Sequence, residues 1–192
     1  MDARTRSVRQ ALAASLIAVV AGLAQAQTAE RTPHRAPDIH YEPTPHNVVA
    51  EILDLARIDA QDVVYDLGCG DGRIVIAAVK QRGARGVCVD IDPQRIRESK
   101  ANAARAAVAE RIVFLNQDLF DTGLARATVV TLFLSRDVNR KLRPKLMREL
   151  RPGTRVVSYV HGMDNWTPDE TRTVQGAYGP RPLNLWVIAP RP

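Results

Sequence analysis

Apolar positions along this chain recur at two alternating periods. Across residues 46–58, Val48, Val49, Ile52, Leu53, Leu55 and Ala56 fall at helical spacing. Asp62-Val63-Val64-Tyr65-Asp66-Leu67 is a β-rich run that ends in glycines, and residues 72–81 return to an apolar helical pattern. Residues 86–91 predict a second buried strand. Pro93 then opens an alanine-rich helix to about Ala109, with proline in the first turn, where its missing N–H costs little. Residues 111–116, 127–134 and 154–160 predict further strands. Residues 136–150 predict a helix that restarts at Pro144, and residues 171–174 and 183–188 a closing hairpin around Gly179-Pro180.

Strands alternating with helices at this spacing predict a parallel sheet covered on both faces. The unbroken apolar runs Val63–Tyr65, Val87–Val89 and Val129–Leu134 suit strands buried on both sides. Residues 46–192 therefore form one α/β domain, and 192 residues support one domain rather than two. Ahead of it, residues 27–45 are polar and carry Pro33, Pro37, Pro43 and Pro45, the composition of an extended arm. Residues 1–26 differ again. Arg4, Arg6 and Arg9 precede a 14-residue apolar run, and Ala24-Gln25-Ala26 closes it. A positive start, a short apolar centre and an A-x-A site describe a secretory signal peptide. The run is short for a membrane span, which needs about 20 residues. Export to the periplasm is the expectation; a cytoplasmic or membrane-anchored protein is the alternative.

Composition narrows the class without choosing a partner. An apolar fraction of 45% and a charged fraction of 25% are those of a folded protein and exclude wholesale disorder. Removal of residues 1–26 lowers the formal charge from +6 to +4. Residues 136–155 hold eight basic side chains against two acids, which a solvated helix face, an acidic substrate or a lipid surface would equally explain. Aromatics are only 5% and do not interleave with these arginines, which disfavours nucleic acid. Cys69 and Cys88 show no metal-ligand spacing and read as small packing residues. His34, His40 and His46 recur in the arm without an acid or cysteine cluster, so no metal site is expected.

The chemistry concentrates at Asp66-Leu67-Gly68-Cys69-Gly70-Asp71-Gly72-Arg73, between a strand and a helix, where open α/β sheets bind ligands. Arg73 stands where the dinucleotide fingerprint needs its third glycine. Asp66 would repel pyrophosphate but suits a cofactor carrying a cation. Asp90 ends the next strand, where a carboxylate can accept both hydroxyls of a ribose. Asp118 follows the third strand and can accept from an exocyclic amine. Each acid alone is an ordinary turn residue; three at successive strand ends beside a glycine loop form a pattern.

These motifs resemble the class I S-adenosylmethionine-dependent methyltransferases, in matching order over roughly residues 41–190. The resemblance implies a single Rossmann-like domain with a mostly parallel seven-stranded sheet, helices on both faces and a C-terminal antiparallel hairpin. It implies S-adenosylmethionine as cofactor, with Gly68, Gly70 and Gly72 lining its methionine portion, Asp66 near the amino group, Asp90 on the ribose and Asp118 on the adenine. Thr44 and Asp71 belong to the same implied set. Tyr41-Glu42-Pro43-Thr44-Pro45, Thr131-Leu132-Phe133-Leu134 and Trp166-Thr167-Pro168 resemble a narrower group. That group comprises small protein-lysine methyltransferases of mitochondrial inner-membrane proteins and their bacterial relatives. The resemblance implies methyl transfer to a neutral lysine amine of a protein, membrane-associated substrates among them, by a monomer. Thr131-Leu132-Phe133-Leu134 replaces the N-P-P-Y-type loop of base methyltransferases, which again argues against nucleic acid.

A lysine acceptor must lose its proton first, from a reference pKa near 10.4. A largely apolar channel with one or two hydrogen-bond acceptors would favour that loss. Tyr41, Glu42, Tyr159 and Trp166 are the catalytic candidates, with Phe133 and His161 as further lining; no general base is singled out. Two other readings remain open at this point: methylation of a quinone, lipid or amine metabolite, and a non-catalytic nucleoside-binding module.

Overall fold

The structure is a computed structural model and describes residues 36–190. The predicted leader, the first part of the arm and His34 lie outside the described residues. The described chain runs α1 (His46–Leu55), β1 (Val63–Leu67), α2 (Arg73–Arg82), β2 (Arg85–Asp90), α3 (Pro93–Arg105), β3 (Ile112–Asn116), β4 (Val129–Leu132), α4 (Arg136–Glu149), β5 (Arg155–Tyr159), β6 (Glu170–Gly176) and β7 (Gly179–Val187). The strands form one seven-stranded sheet in the order β3-β2-β1-β4-β5-β7-β6. The first five are parallel neighbours, and β7 pairs antiparallel with both β5 and β6.

Alternate residues of the central strands enter opposite layers of core, as the pleat requires. Val64, Val129 and Val157 pack beneath α1 and the inner face of α2. Tyr65, Val130 and Val156 face the other way, onto Val138, Leu142 and Leu146 of α4. Isoleucine, valine and alanine of α2 and α3 close over β2 and β3. Both sheet faces are therefore dry, which is why these strands read as unbroken apolar runs.

Two element boundaries differ from the sequence expectation. Helix α3 ends at Arg105 rather than near Ala109, because Ala107 takes a positive φ of 58° and turns the chain into a 3-10 segment at Ala109–Arg111. Helix α4 passes through Pro144 without restarting. Proline there removes one helical hydrogen bond. The buried stripe Val138, Leu142, Leu146 and Leu150 runs on both sides of it and holds the helix continuous.

Strand order reverses at β1 and β4, which creates a crevice outside their C-terminal ends. The register puts Asp66 opposite Thr131 on one side and Cys88 on the other. Gly68 and Cys69 both donate amides to the Val89 carbonyl, at 2.8 and 3.0 Å, so the glycine loop folds over the end of β2.

Candidate active site

A cavity of about 520 Å³ opens at this crevice. Asp66, Gly68, Cys69, Asp71, Asp90 and Asp118 line it from the strand ends, and residues 37–44 of the arm line it from the other side. Asp66 is 2% exposed. Its Oδ1 accepts a hydrogen bond from the Thr131 hydroxyl at 2.8 Å, and its Oδ2 is buried with no hydrogen-bond partner. Burial, partly offset by Thr131 and reinforced by the charge of Asp90, pushes this carboxyl up to about 7. An unsatisfied buried carboxylate oxygen beside a cavity asks for a cationic hydrogen-bond donor.

Asp90 is organised differently. It accepts the Gly70 amide on Oδ2 and the Asp92 amide on Oδ1, both at 2.9 Å. Burial raises its carboxyl despite these two bonds. Each carboxylate oxygen keeps lone pairs for further donors such as ribose hydroxyls. Asp118 caps the 3-10 segment Leu119–Asp121 by accepting the Phe120 amide at 2.9 Å, and Gln117 and Leu119 beside it also line the cavity.

The arm is held onto the glycine loop by contacts that sequence reasoning missed. Arg73 makes a bidentate pair with Asp71 and donates to the Thr44 carbonyl at 2.8 Å. Burial would raise Asp71, but the Arg73 guanidinium holds its carboxyl below the usual range. The Tyr41 ring lies against Gly70, whose φ is +55° and whose missing Cβ would sit 2.4 Å from the ring. Arg95 covers the ring at 4.5 Å from its centre. Tyr41 and Thr44 thus reach the cavity as parts of one clamp. An arginine one residue past the glycines was the only local signal for it.

The glycines divide the work. Gly68 lines the cavity, whereas Gly70 contributes its amide to Asp90 and its open face to Tyr41. Gly72 does not line the cavity. A Cβ there would lie 2.9 Å from that of Ser99, so Gly72 serves the close approach of α3. Trp166 is also away from the cavity: it packs on Trp186 at 5.6 Å between ring centres and accepts the indole N–H of Trp186 on its carbonyl. Its place is to pin the loop after β5.

The cysteines require a correction. Cys69 and Cys88 are buried, but they are joined in a disulfide rather than packed as separate thiols. They lie 19 residues apart in sequence, and it is the parallel register of β1 and β2 that brings them together.

A second, smaller cavity of about 180 Å³ adjoins the first and shares Glu42, Phe133 and His161 with it. Tyr159 lines this second cavity, not the first, and its ring meets Phe133 at 4.8 Å. Burial raises the Tyr159 phenol, with Arg181 opposing and Glu42 adding to the shift. The backbone at His161 is fixed by the Ser158 hydroxyl, which donates to its carbonyl at 2.7 Å, and by the Asn139 amide at 3.0 Å. The basic run on α4 is in part neutralised: Asp164 pairs with Arg136 and Arg140, and Glu149 with Lys145 and Arg148.

A parallel sheet with a reversed antiparallel hairpin, a glycine loop and carboxylates at three strand ends defines a nucleoside-cofactor methyltransferase. The family model described as the ANTKMT methyltransferase domain matches residues 66–170, and the chain belongs to that family. A protein-lysine N-methyltransferase of Saccharolobus islandicus is 42% identical over 153 residues, covering 79% of this chain and 95% of that protein. An ATP synthase lysine N-methyltransferase of Xenopus laevis is 32% identical over 156 residues, covering 79% of this chain and 68% of the relative. Among solved structures, an RNA methyltransferase from Salinibacter ruber in complex with S-adenosyl-L-homocysteine aligns with a TM-score of 0.75. It is 46% identical, over 79% of this chain and 96% of that one. The present chain is an S-adenosylmethionine-dependent methyltransferase. Its own residues fit the cofactor: the orphaned oxygen of Asp66 suits an ammonium group, and Asp90 suits a pair of hydroxyls.

Proposed function

We propose that this enzyme methylates lysine side chains of a protein. The similarity to the Saccharolobus protein-lysine N-methyltransferase, at 42% identity over nearly its whole length, carries this reading. The cofactor, when bound, supplies a methyl group on a sulfonium, open to displacement by a neutral amine. Asp66 would hold the amino group of the cofactor, Asp90 its ribose and Asp118 its adenine side, while the clamp of Tyr41, Arg73 and Arg95 keeps water from the cavity. The protein contributes chiefly proximity and desolvation. The apolar faces of Phe133 and Leu134 on the cavity wall would favour the neutral form of an incoming lysine.

The protein should be incubated with methyl-labelled S-adenosylmethionine and with periplasmic, membrane and cytosolic fractions. Label in a proteinase-sensitive band supports lysine methylation, located by hydrolysis to methyl-lysines. Label confined to solvent-extractable material moves the acceptor to a small molecule. Ribonuclease-sensitive label would favour the acceptor class named for the Salinibacter neighbour.

Export belongs to the same proposal. The composition of residues 1–26 supports it, and so does a disulfide in the cofactor loop, since such bonds persist in oxidising compartments. N-terminal sequencing of protein recovered from cells should begin at Gln27; an intact Met1 in the cytosol would overturn it.

A further inference from the structure

The smaller cavity carries two charges that find no counter-ion among the described residues. Glu42 stands at the edge shared with the cofactor cavity, and among the described residues its carboxylate makes no hydrogen bond or ion pair. Arg181 lines only the outer cavity, on β7. Among the described residues its guanidinium makes one hydrogen bond, to the Pro180 carbonyl at 3.1 Å, and no ion pair. The two charges do not pair with each other, although both act on the Tyr159 hydroxyl.

The walls are built to keep this space open. Val160 takes a positive φ of 69°, an uncommon conformation for a β-branched residue, and this turn places Tyr159, Val160 and His161 together on the cavity. The Tyr159 hydroxyl fits only because residue 176 is glycine: a Cβ there would lie 2.2 Å from it. Tyr178 at the hairpin tip is 77% exposed and lines the outer rim with Ala177. The aromatic walls suit a flexible methylene chain, and the cavity carries charges of both signs.

We propose that this cavity is the acceptor channel, and that it selects a lysine accompanied by a carboxylate. The lysine chain passes between Phe133 and Tyr159, its amine is received by Glu42 beside the cofactor, and the carboxylate rests on Arg181. The carboxylate comes from a neighbouring acidic residue or from the chain terminus when the lysine is last; the charge requirement is the same. This inference rests on the lysine reading above. A neutral amine, formed as the ammonium gives its proton to Glu42 or to water, is the nucleophile, and the methyl moves from sulfonium sulfur to nitrogen.

Four peptides test it, each with a single lysine: next to aspartate, next to alanine, next to arginine, or at a free C-terminus. Methylation of each is followed with labelled S-adenosylmethionine, and cofactor affinity is measured separately by calorimetry. The aspartate or the C-terminal peptide should exceed the alanine peptide in kcat/KM by about tenfold, and whichever does so identifies the source of the carboxylate. Arg181→Glu should reverse the order in favour of the arginine peptide, with cofactor affinity unchanged to within about twofold, which also shows that the variant is folded. Glu42→Gln should lower kcat/KM for every peptide and leave cofactor affinity in place. Equal rates across the four peptides, or an unchanged order in Arg181→Glu, overturns the channel while leaving lysine methylation intact. So does failure to methylate either carboxylate-bearing peptide when a cell protein is labelled. No protein label at all removes the lysine reading and this inference with it.

Discussion

Asp66 shows how a single side chain can serve function at a cost to the fold. Its carboxyl titrates near 3.8 in an unfolded chain and at about 7 here. Between those values the native state binds the extra proton, so the stability of the cofactor-free protein falls as pH rises from about 4 to about 7, then levels off. The full cost of ionising it is on the order of 4 kcal/mol. Denaturation midpoints at pH 5 and pH 8 should differ for the native sequence, and Asp66→Asn should remove most of that difference. A cationic amino group satisfies the ionised form. Cofactor affinity should therefore rise between about pH 6 and about pH 7.5 in the native protein and stay flat in Asp66→Asn, with binding weakened about tenfold. Asp90→Ala removes acceptors for two ribose hydroxyls as well as the acceptor of the Gly70 amide, and calorimetry should show a loss of about 10- to 100-fold. Unchanged affinity would remove Asp90 from the cofactor site.

At the scale of elements, the glycine loop is held by contacts from three directions. The disulfide ties it to β2, Arg73 ties it to the arm, and Tyr41 fills the face of Gly70. Gly70→Ala should cost about 1–2 kcal/mol from its positive φ alone and further displace the Tyr41 ring. Tyr41→Ala should recover only the displacement, a difference that a double-mutant cycle in urea denaturation measures. Cys88→Ala opens the 19-residue tether and should lower stability by about 3 kcal/mol under non-reducing conditions, with no such difference in reductant. The native protein, denatured without reductant, should show no free thiols from these two residues. In α4, Pro144→Ala restores a missing helical bond and should stabilise the protein by at least about 1 kcal/mol.

At the scale of the whole molecule, the architecture was legible because burial on both faces leaves a periodic signature. Val63–Tyr65 and Val129–Leu134 could be read as central strands from their unbroken apolar character, and the helices between them from their spacing. Asp66, Asp90 and Asp118 could be read because a sheet of this topology places the end of each strand at the ligand crevice. Position within an element was enough for these. The continuity of α4 through Pro144 was not legible, since it depends on a buried stripe supplied by Leu142 and Leu146 against β4 and β5.

By itself the sequence determined the α/β alternation, the glycine loop and the three acids, since each depends on local periodicity or on the end of a strand. Only the tertiary structure decided which distant residues meet: Cys69 with Cys88, Arg73 with Thr44, Tyr41 between Gly70 and Arg95, and Glu42 on one cavity with Arg181. These pairings follow from strand register and from the path of the arm over the sheet. A register shift of one residue would redirect every side chain involved, and no local pattern encodes it.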